Sequence, residues 1–177
     1  MPLRLALCGC SQAFQWSDCL QRLDDVSVTT VADADPTVAE AAAPQFGTGS
    51  RVTSCDQLLS ATGDDWDALV ISGELTGSAE VTQNALAAGK PVLLETPPQE
   101  ATTLARLDAV AADSQVSLMV GGSLRYAPAL STVQQSVASG QIGAPGLLRA
   151  HRWVPAADIT VEAVSYTHLT LPTILRV

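Results

Sequence analysis

A glycine-containing turn follows the first apolar segment of the chain and could bind a phosphate group. The turn consists of Gly9, Cys10, Ser11, Gln12 and Ala13. Gly9 permits a tight turn, and the Ser11 hydroxyl could contact a phosphate where the dinucleotide-binding pattern G-x-G-x-x-G has its second glycine. Only the first glycine of that pattern is present. The turn is therefore equally compatible with a structural connection between a strand and a helix.

An acidic side chain 24 positions after Gly9 favours the nucleotide interpretation. Asp33 ends the second strand-like segment, where a carboxylate can accept hydrogen bonds from the ribose hydroxyls of a dinucleotide. The same carboxylate would repel a 2′-phosphate, which favours NAD over NADP. The alternative is that Asp33 or Asp35 only caps the next helix. Asp35 fits the cap better because Pro36 would occupy the first helical position, so we expect Asp33 to bind the ribose.

Composition excludes several other functions. The formal net charge of −9 would repel phosphate backbones, so no nucleic-acid partner is expected. No apolar stretch reaches the roughly 18 residues of a membrane span, and the N-terminus lacks signal-peptide features. We therefore expect no membrane partner and a cytoplasmic location, with reduced thiols at Cys8, Cys10, Cys19 and Cys55. No metal site is expected, because no histidine or further cysteine lies near Cys8 and Cys10 in sequence.

Short apolar segments alternate with amphipathic ones along the first two thirds of the chain. The predicted strands are residues 3–8, 26–32, 51–53, 68–71, 91–94 and 116–120. The predicted helices between them are residues 16–23, 36–46, 56–61, 78–88 and 103–112. This alternation requires a parallel sheet with right-handed crossovers. The predicted fold class is α/β, a Rossmann-type doubly wound parallel sheet, whose ligands bind at the carboxyl ends of the strands.

Residues 85–97, with the sequence ALAAGKPVLLETP, form the most distinctive motif of the chain. They are similar to A-L-x-A-G-K-H-V-x-x-E-K-P of the Gfo/Idh/MocA family, which includes glucose-fructose oxidoreductase and inositol dehydrogenase. Residues 122–128 and 141–143 resemble later family motifs. The resemblance covers residues 3–153. It implies an NAD(P)-binding Rossmann domain over residues 1–122, and a connecting helix with the start of a substrate domain over residues 123–163.

The resemblance also implies site residues. Further cofactor contacts are expected from Gly73, Glu95, Thr96, Pro97 and Arg125. Thr96 stands where the family has its E-K-P lysine, and a threonine cannot supply a cation to polarise an oxygen. Ser78 stands where the family usually has a histidine. The family's catalytic histidine belongs to the second domain and has no counterpart here, so no catalytic residue is assigned.

The C-terminal segment departs from the family pattern. Residues 164–177 resemble a translated sequencing adapter, so we expect a non-native tail in which His168 has no function. The chain is thus interpreted as the cofactor half of an oxidoreductase that acts on a sugar, a polyol or a related hydroxylated metabolite by hydride transfer. We expect this fragment to be inactive, and the intact protein could form a homo-oligomer through the missing domain. Two alternatives stay open: a non-catalytic dinucleotide-binding module and an NAD-dependent glycosidase of the same family.

Overall fold

The computed structural model describes residues 1–10, 13–47, 50–60, 65–73, 75–122, 126–144 and 146. Within these residues, six strands form one parallel sheet. They are β1 (Leu3–Cys8), β2 (Val26–Asp33), β3 (Arg51–Ser54), β4 (Ala68–Ile71), β5 (Val92–Leu94) and β6 (Leu118–Val120). Each overlaps the strand predicted at its position.

The strands lie in the order β3-β2-β1-β4-β5-β6. β1 is central, with β2 on one side and β4 on the other. The chain builds the sheet outward from β1 to β3, returns to the centre, and continues through β4 to β6. This reversal is the topological switch point at which open α/β sheets bind ligands. The predicted Rossmann-type doubly wound fold is confirmed.

Helices lie between the strands and after β6. They are α1 (Ala13–Leu20), α2 (Pro36–Ala42), α3 (Cys55–Ser60), α4 (Ser78–Ala87), α5 (Ala101–Asp113) and α6 (Pro128–Ala138). α1 begins and ends three residues earlier than the predicted helix over residues 16–23. The helix predicted over residues 36–46 is divided, since Ala43–Phe46 forms a 3-10 helix after α2. Pro44 has no N–H to continue the α-helical hydrogen bonds.

Both faces of the sheet are buried. Leu5 and Leu7 of β1 pack in one cluster, which includes Ala39 of α2. Ala6 and Cys8, which point to the opposite face, pack in a second cluster with residues of α3, α4 and α5. Burial on both sides explains why the strands read as continuous apolar runs rather than as alternating patterns.

The start of β4 is joined to β1 by an ion pair. Arg4 donates from its backbone N–H and Nε to Asp67 Oδ2 at 2.9 and 3.1 Å, and from Nη2 to Oδ1 at 2.7 Å. These hydrogen bonds, the side-chain ones foremost, lower the pKa of Asp67 from its ordinary value near 4 to about 2. Both side chains are partly exposed, so the contribution to stability is small.

The Arg4–Asp67 pair predicts an acid-dependent loss of stability. A lowered pKa in the folded state means that the contribution is present above about pH 4 and is lost as pH falls toward about 2. We expect the Asp67→Asn variant to lose less stability than the unsubstituted protein over that interval. Melting temperatures measured at steps between these pH values would test this. Parallel curves for the two proteins would contradict it.

The chain divides after Ala127 into two units. The second unit begins with α6, which ends in a turn where the Gly140 N–H donates to Val137 O at 3.1 Å. The strand predicted over residues 146–153 lies, apart from Gly146, outside the described residues, as does the segment 164–177. The domain limits derived from the sequence therefore stay predictions. None of the described helices has the length and apolarity to span a membrane.

Candidate functional site

Four strands end level with one another at one edge of the sheet. Cys8 pairs with Ala32 and Ile71, and Ile71 pairs with Leu94. The residues that end or directly follow these strands are Gly9, Asp33, Ser72 and Glu95. Segments distant in sequence thus meet at the carboxyl edge beside the switch point, where a ligand site is expected.

Gly9 is required by its close approach to the chain after β4. Its φ is +87°, which favours glycine, and a Cβ at this position would collide with the Ser72 carbonyl oxygen. The Gly9 N–H donates to Ala32 O at 3.0 Å, and the Ser72 N–H donates to Cys8 O at 2.8 Å. The glycine therefore serves the packing of three strand ends, in addition to the tight turn predicted from the sequence.

Asp33 links the loop after β2 to the Gly9 turn. Its side chain is 9% exposed. Oδ2 accepts a hydrogen bond from the Cys10 N–H at 2.6 Å, and Oδ1 accepts one from the Asp35 N–H at 3.0 Å. Asp35 is the predicted cap of α2, because its Oδ1 accepts from the Thr37 N–H at 2.9 Å and from Thr37 Oγ1 at 2.7 Å. The Thr37 bonds lower the pKa of Asp35.

Cys10 is held within the protein. Its N–H donates to Asp33, its Sγ donates to Ala32 O at 3.3 Å, and the residue is 5% exposed. Burial, followed by the nearby Asp33 carboxylate, raises the pKa of the Cys10 thiol to about 12, so the thiol is neutral. Cys10 stabilises the turn, and a direct contact with a cofactor stays a prediction. Ser11 and Gln12 lie outside the described residues, and Ala13 begins α1.

Glu95 joins the end of β5 to the loop after β4. Its Oε2 accepts hydrogen bonds from Ser72 Oγ at 2.8 Å and from the Gly73 N–H at 2.9 Å. Gly73 has a φ of +68°. Ser72 is 1% exposed and contacts both neighbouring strand ends. It was not singled out in the sequence, although its place directly after the apolar run of residues 68–71 is the signal that could have identified it.

The position of the motif lysine carries no cation. Thr96 is half-buried and Pro97 is exposed, both directly after β5. Lys90, the lysine of the chain, lies before β5, where its Nζ donates to Trp66 O at 2.9 Å and sits 5.2 Å from the centre of the Trp66 ring. It belongs to the opposite edge of the sheet and cannot substitute for a cation at Thr96. Arg125 lies outside the described residues.

A cleft of about 340 Å³ includes in its lining Ala34, the residue that directly follows Asp33. It is lined by Ala34, Ser54, Cys55, Leu75, Thr76, Gly77, Glu80, Val81 and Asn84. These residues come from the loop after β2, the junction of β3 with α3, and the segment from β4 into α4. Sequence reasoning missed this lining, because three segments must fold together before it exists. The lining combines apolar groups with hydrogen-bonding groups, as small-molecule clefts in proteins do.

The sequence of the chain matches that of a known protein family. Residues 3–122 match the family GFO_IDH_MocA, an oxidoreductase family with an NAD-binding Rossmann fold. The chain belongs to this family. The resemblance drawn from residues 85–97 is thereby confirmed, as is the assignment of an NAD-binding oxidoreductase fold. Among curated protein sequences, none matches the chain significantly.

Solved structures of the Gfo/Idh/MocA family resemble the chain over most of its length. A protein from Sinorhizobium meliloti 1021, assigned as a myo-inositol dehydrogenase, is 28% identical over 80% of this chain, with a TM-score of 0.67. GenD2, from gentamicin A biosynthesis and in complex with NAD, is 26% identical over 79%, with a TM-score of 0.70. A 3-ketoreductase from Actinomadura kijaniata, in complex with NADP, is 28% identical over 81%, with a TM-score of 0.68.

The chain is much shorter than these relatives. It covers 42%, 40% and 46% of the myo-inositol dehydrogenase, GenD2 and 3-ketoreductase chains, respectively. The match therefore concerns less than half of each relative. GenD2 was solved with NAD and the 3-ketoreductase with NADP. Dinucleotide binding is therefore a property of the family, but membership does not distinguish NAD from NADP.

Proposed function

We propose that residues 1–122 bind NAD, with the adenosine in the cleft beside Asp33, and that the intact protein transfers hydride between this cofactor and a sugar, a polyol or a related hydroxylated metabolite. The observation that carries the proposal is the buried Asp33, whose carboxylate accepts a hydrogen bond from Cys10 in the Gly9 turn and which directly precedes Ala34 of the cleft lining. A carboxylate there accepts hydrogen bonds from ribose hydroxyls.

The described residues fit a dinucleotide. Because Gly9 has no Cβ, the turn can lie directly against the chain after β4. A pyrophosphate could then approach the backbone near the start of α1. The cleft volume lies within the range of roughly 300–1,000 Å³ typical of ligand pockets. Asp33 accepts only one protein hydrogen bond on each oxygen among the contacts described, and a carboxylate oxygen can accept more.

Charge favours NAD over NADP. Asp33 carries a negative charge at the ribose end, and Glu80 adds a carboxylate to the cleft lining. Neither arginine nor lysine is present among the described residues that line the cleft. A 2′-phosphate would thus meet like charge with no partner to offset it.

The substrate class is supported by the relatives. Those with assigned activities are a myo-inositol dehydrogenase and a 3-ketoreductase, and both names describe chemistry at a carbinol or ketone carbon. A bound nicotinamide supplies the hydride acceptor. In this chain, Glu95 would hold the loop of Ser72 and Gly73 beside the cofactor. Thr96 would contribute shape and a hydroxyl, and the charge at the reacting oxygen would have to come from the second domain.

Thr96 also favours a second candidate, a dinucleotide-binding module without catalytic activity. Loss of the motif lysine removes the cation that would stabilise charge at a reacting oxygen. The two candidates differ in one measurement on a chain that includes a second domain. Reduction of NAD by a polyol or sugar would establish the oxidoreductase, whereas retained NAD binding without turnover would establish the binding module.

Cofactor binding itself is testable on the present chain. NAD at one hundred times its Kd should stabilise the fold by about 2.7 kcal/mol, which raises the melting temperature by several degrees. NADP at the same concentration should produce a smaller shift, because of the charge at Asp33. Equal shifts would contradict the NAD preference, and no shift with either nucleotide would contradict the proposal.

A further inference from the structure

Two cysteines from distant parts of the chain meet at the wall of the cleft. Cys8 ends β1 and is fully buried, whereas Cys55 begins α3, is 9% exposed and lines the cleft. Their Sγ atoms are 2.7 Å apart, although the residues are 47 positions apart in sequence. The proposed binding of a dinucleotide requires neither thiol, so their close approach calls for a separate explanation.

The two thiols have different environments. The hydrogen bond with Cys55, followed by burial, raises the pKa of the Cys8 thiol, so Cys8 keeps its proton. Cys55 is the member of the pair that an agent in the cleft can reach. The pair thus combines one accessible sulfur with one protected sulfur directly behind it.

We propose that Cys8 and Cys55 are a redox-modification site, at which a reversible disulfide joins the end of β1 to the start of α3. With hydrogen peroxide as the oxidant, Cys55 Sγ attacks one peroxide oxygen and the O–O bond breaks. Cys55 becomes a sulfenic acid, and the other peroxide oxygen departs as water with the Cys55 proton. Cys8 Sγ then attacks the Cys55 sulfur, and the hydroxyl departs as a second water with the Cys8 proton. Two electrons pass from the two sulfurs to the peroxide, and a dithiol reductant reverses the change.

The fold is suited to this bond. A disulfide has an S–S length of about 2.05 Å, so the two sulfurs need to approach by less than about 1 Å. The other cysteines are placed differently, since Cys10 donates to Ala32 O and Cys19 is exposed. Among the described residues, no group of three or more histidine, cysteine, aspartate or glutamate side chains could hold a metal ion. Shared metal coordination therefore does not account for the pair.

The experiment uses the chain with Cys19→Ser, which prevents links between molecules through the exposed thiol. Stoichiometric hydrogen peroxide should lower the intact mass by two hydrogen atoms and raise the melting temperature by several degrees, because the bond closes a long loop of the unfolded chain. Dithiothreitol should reverse both changes. After digestion with trypsin, which does not cleave between Lys90 and Pro91, peptide 5–22 should be linked to peptide 52–106.

Matched variants identify which two cysteines form the disulfide. Adding Cys10→Ser should leave the link intact, whereas adding Cys8→Ser or Cys55→Ser should abolish it. Fragmentation of the linked peptides from the protein with only Cys19→Ser assigns the bond even where a further variant fails to fold. A link through Cys10, or addition of oxygen to Cys55 without loss of two hydrogens, would overturn the proposal.

A final experiment, the oxidation of the protein in the presence of NAD, rests on the proposed function. If adenosine fills the cleft, it covers Cys55, so saturating NAD should slow disulfide formation several-fold. If the disulfide forms at the same rate with and without bound NAD, the redox site is supported and the proposed location of the adenosine is wrong. The failure of one proposal is therefore distinguishable from the failure of the other.

Discussion

Replacement of Gly9 by alanine is expected to destabilise the fold by at least about 3 kcal/mol and to abolish NAD binding. The added Cβ would collide with the Ser72 carbonyl oxygen, which belongs to the backbone and cannot rotate away. The positive φ of Gly9 adds the strain of a left-handed conformation. The turn or the chain after β4 must therefore move. Urea unfolding and a titration with NAD would measure the two effects.

Gly89→Ala provides the matched control. Gly89 has a φ of +74°, but its Cβ would meet no atom within 4 Å. This substitution introduces the conformational strain without the collision, and should cost about 1 kcal/mol and leave NAD affinity unchanged. The difference between the two variants isolates the contact with Ser72. Equal losses of stability would show that the close approach of the two segments is unimportant.

Replacement of Asp33 by alanine is expected to have the second-largest effect. The variant leaves the buried Cys10 N–H and the Asp35 N–H without their acceptors, which should cost about 2 kcal/mol of stability. It also removes the proposed ribose acceptor, so NAD affinity should fall at least about tenfold, equivalent to about 1.4 kcal/mol. Calorimetric titration at a temperature where the variant is folded would measure the affinity.

Asp35→Ala separates the two roles of Asp33. Asp35 lies two residues further on and caps α2. Its removal should cost about 1 kcal/mol of stability through the lost cap, with NAD affinity unchanged. If Asp33→Ala proved no weaker in NAD binding than Asp35→Ala, Asp33 would be a structural residue alone.

The strands could be predicted well from sequence because of their burial. The run of residues 68–71 is apolar throughout, as expected of a parallel strand that is covered on both faces, and the structure has β4 at Ala68–Ile71. Helix limits were harder. The residues after Ala42 continue a helical pattern, but Pro44 converts the last turn into a 3-10 helix.

The site was predicted less completely, since its chemistry depends on neighbours. Asp33 was identified by its distance from Gly9, but its hydrogen bond to Cys10 follows only from the close approach of two strand ends. Ser72 and the cleft residues carry no motif of their own. The contact between Cys8 and Cys55 joins residues 47 positions apart, and no local pattern indicates such a pair.

The contacts of Ser72 affect the thermodynamics of ligand binding. Its carbonyl oxygen limits the space beside Gly9, its N–H donates to Cys8 O, and its hydroxyl donates to Glu95. The ends of β1, β4 and β5 are consequently held in one arrangement before any ligand arrives. A dinucleotide that spans these strand ends meets a preorganised surface, so little of its binding free energy is consumed in ordering the protein.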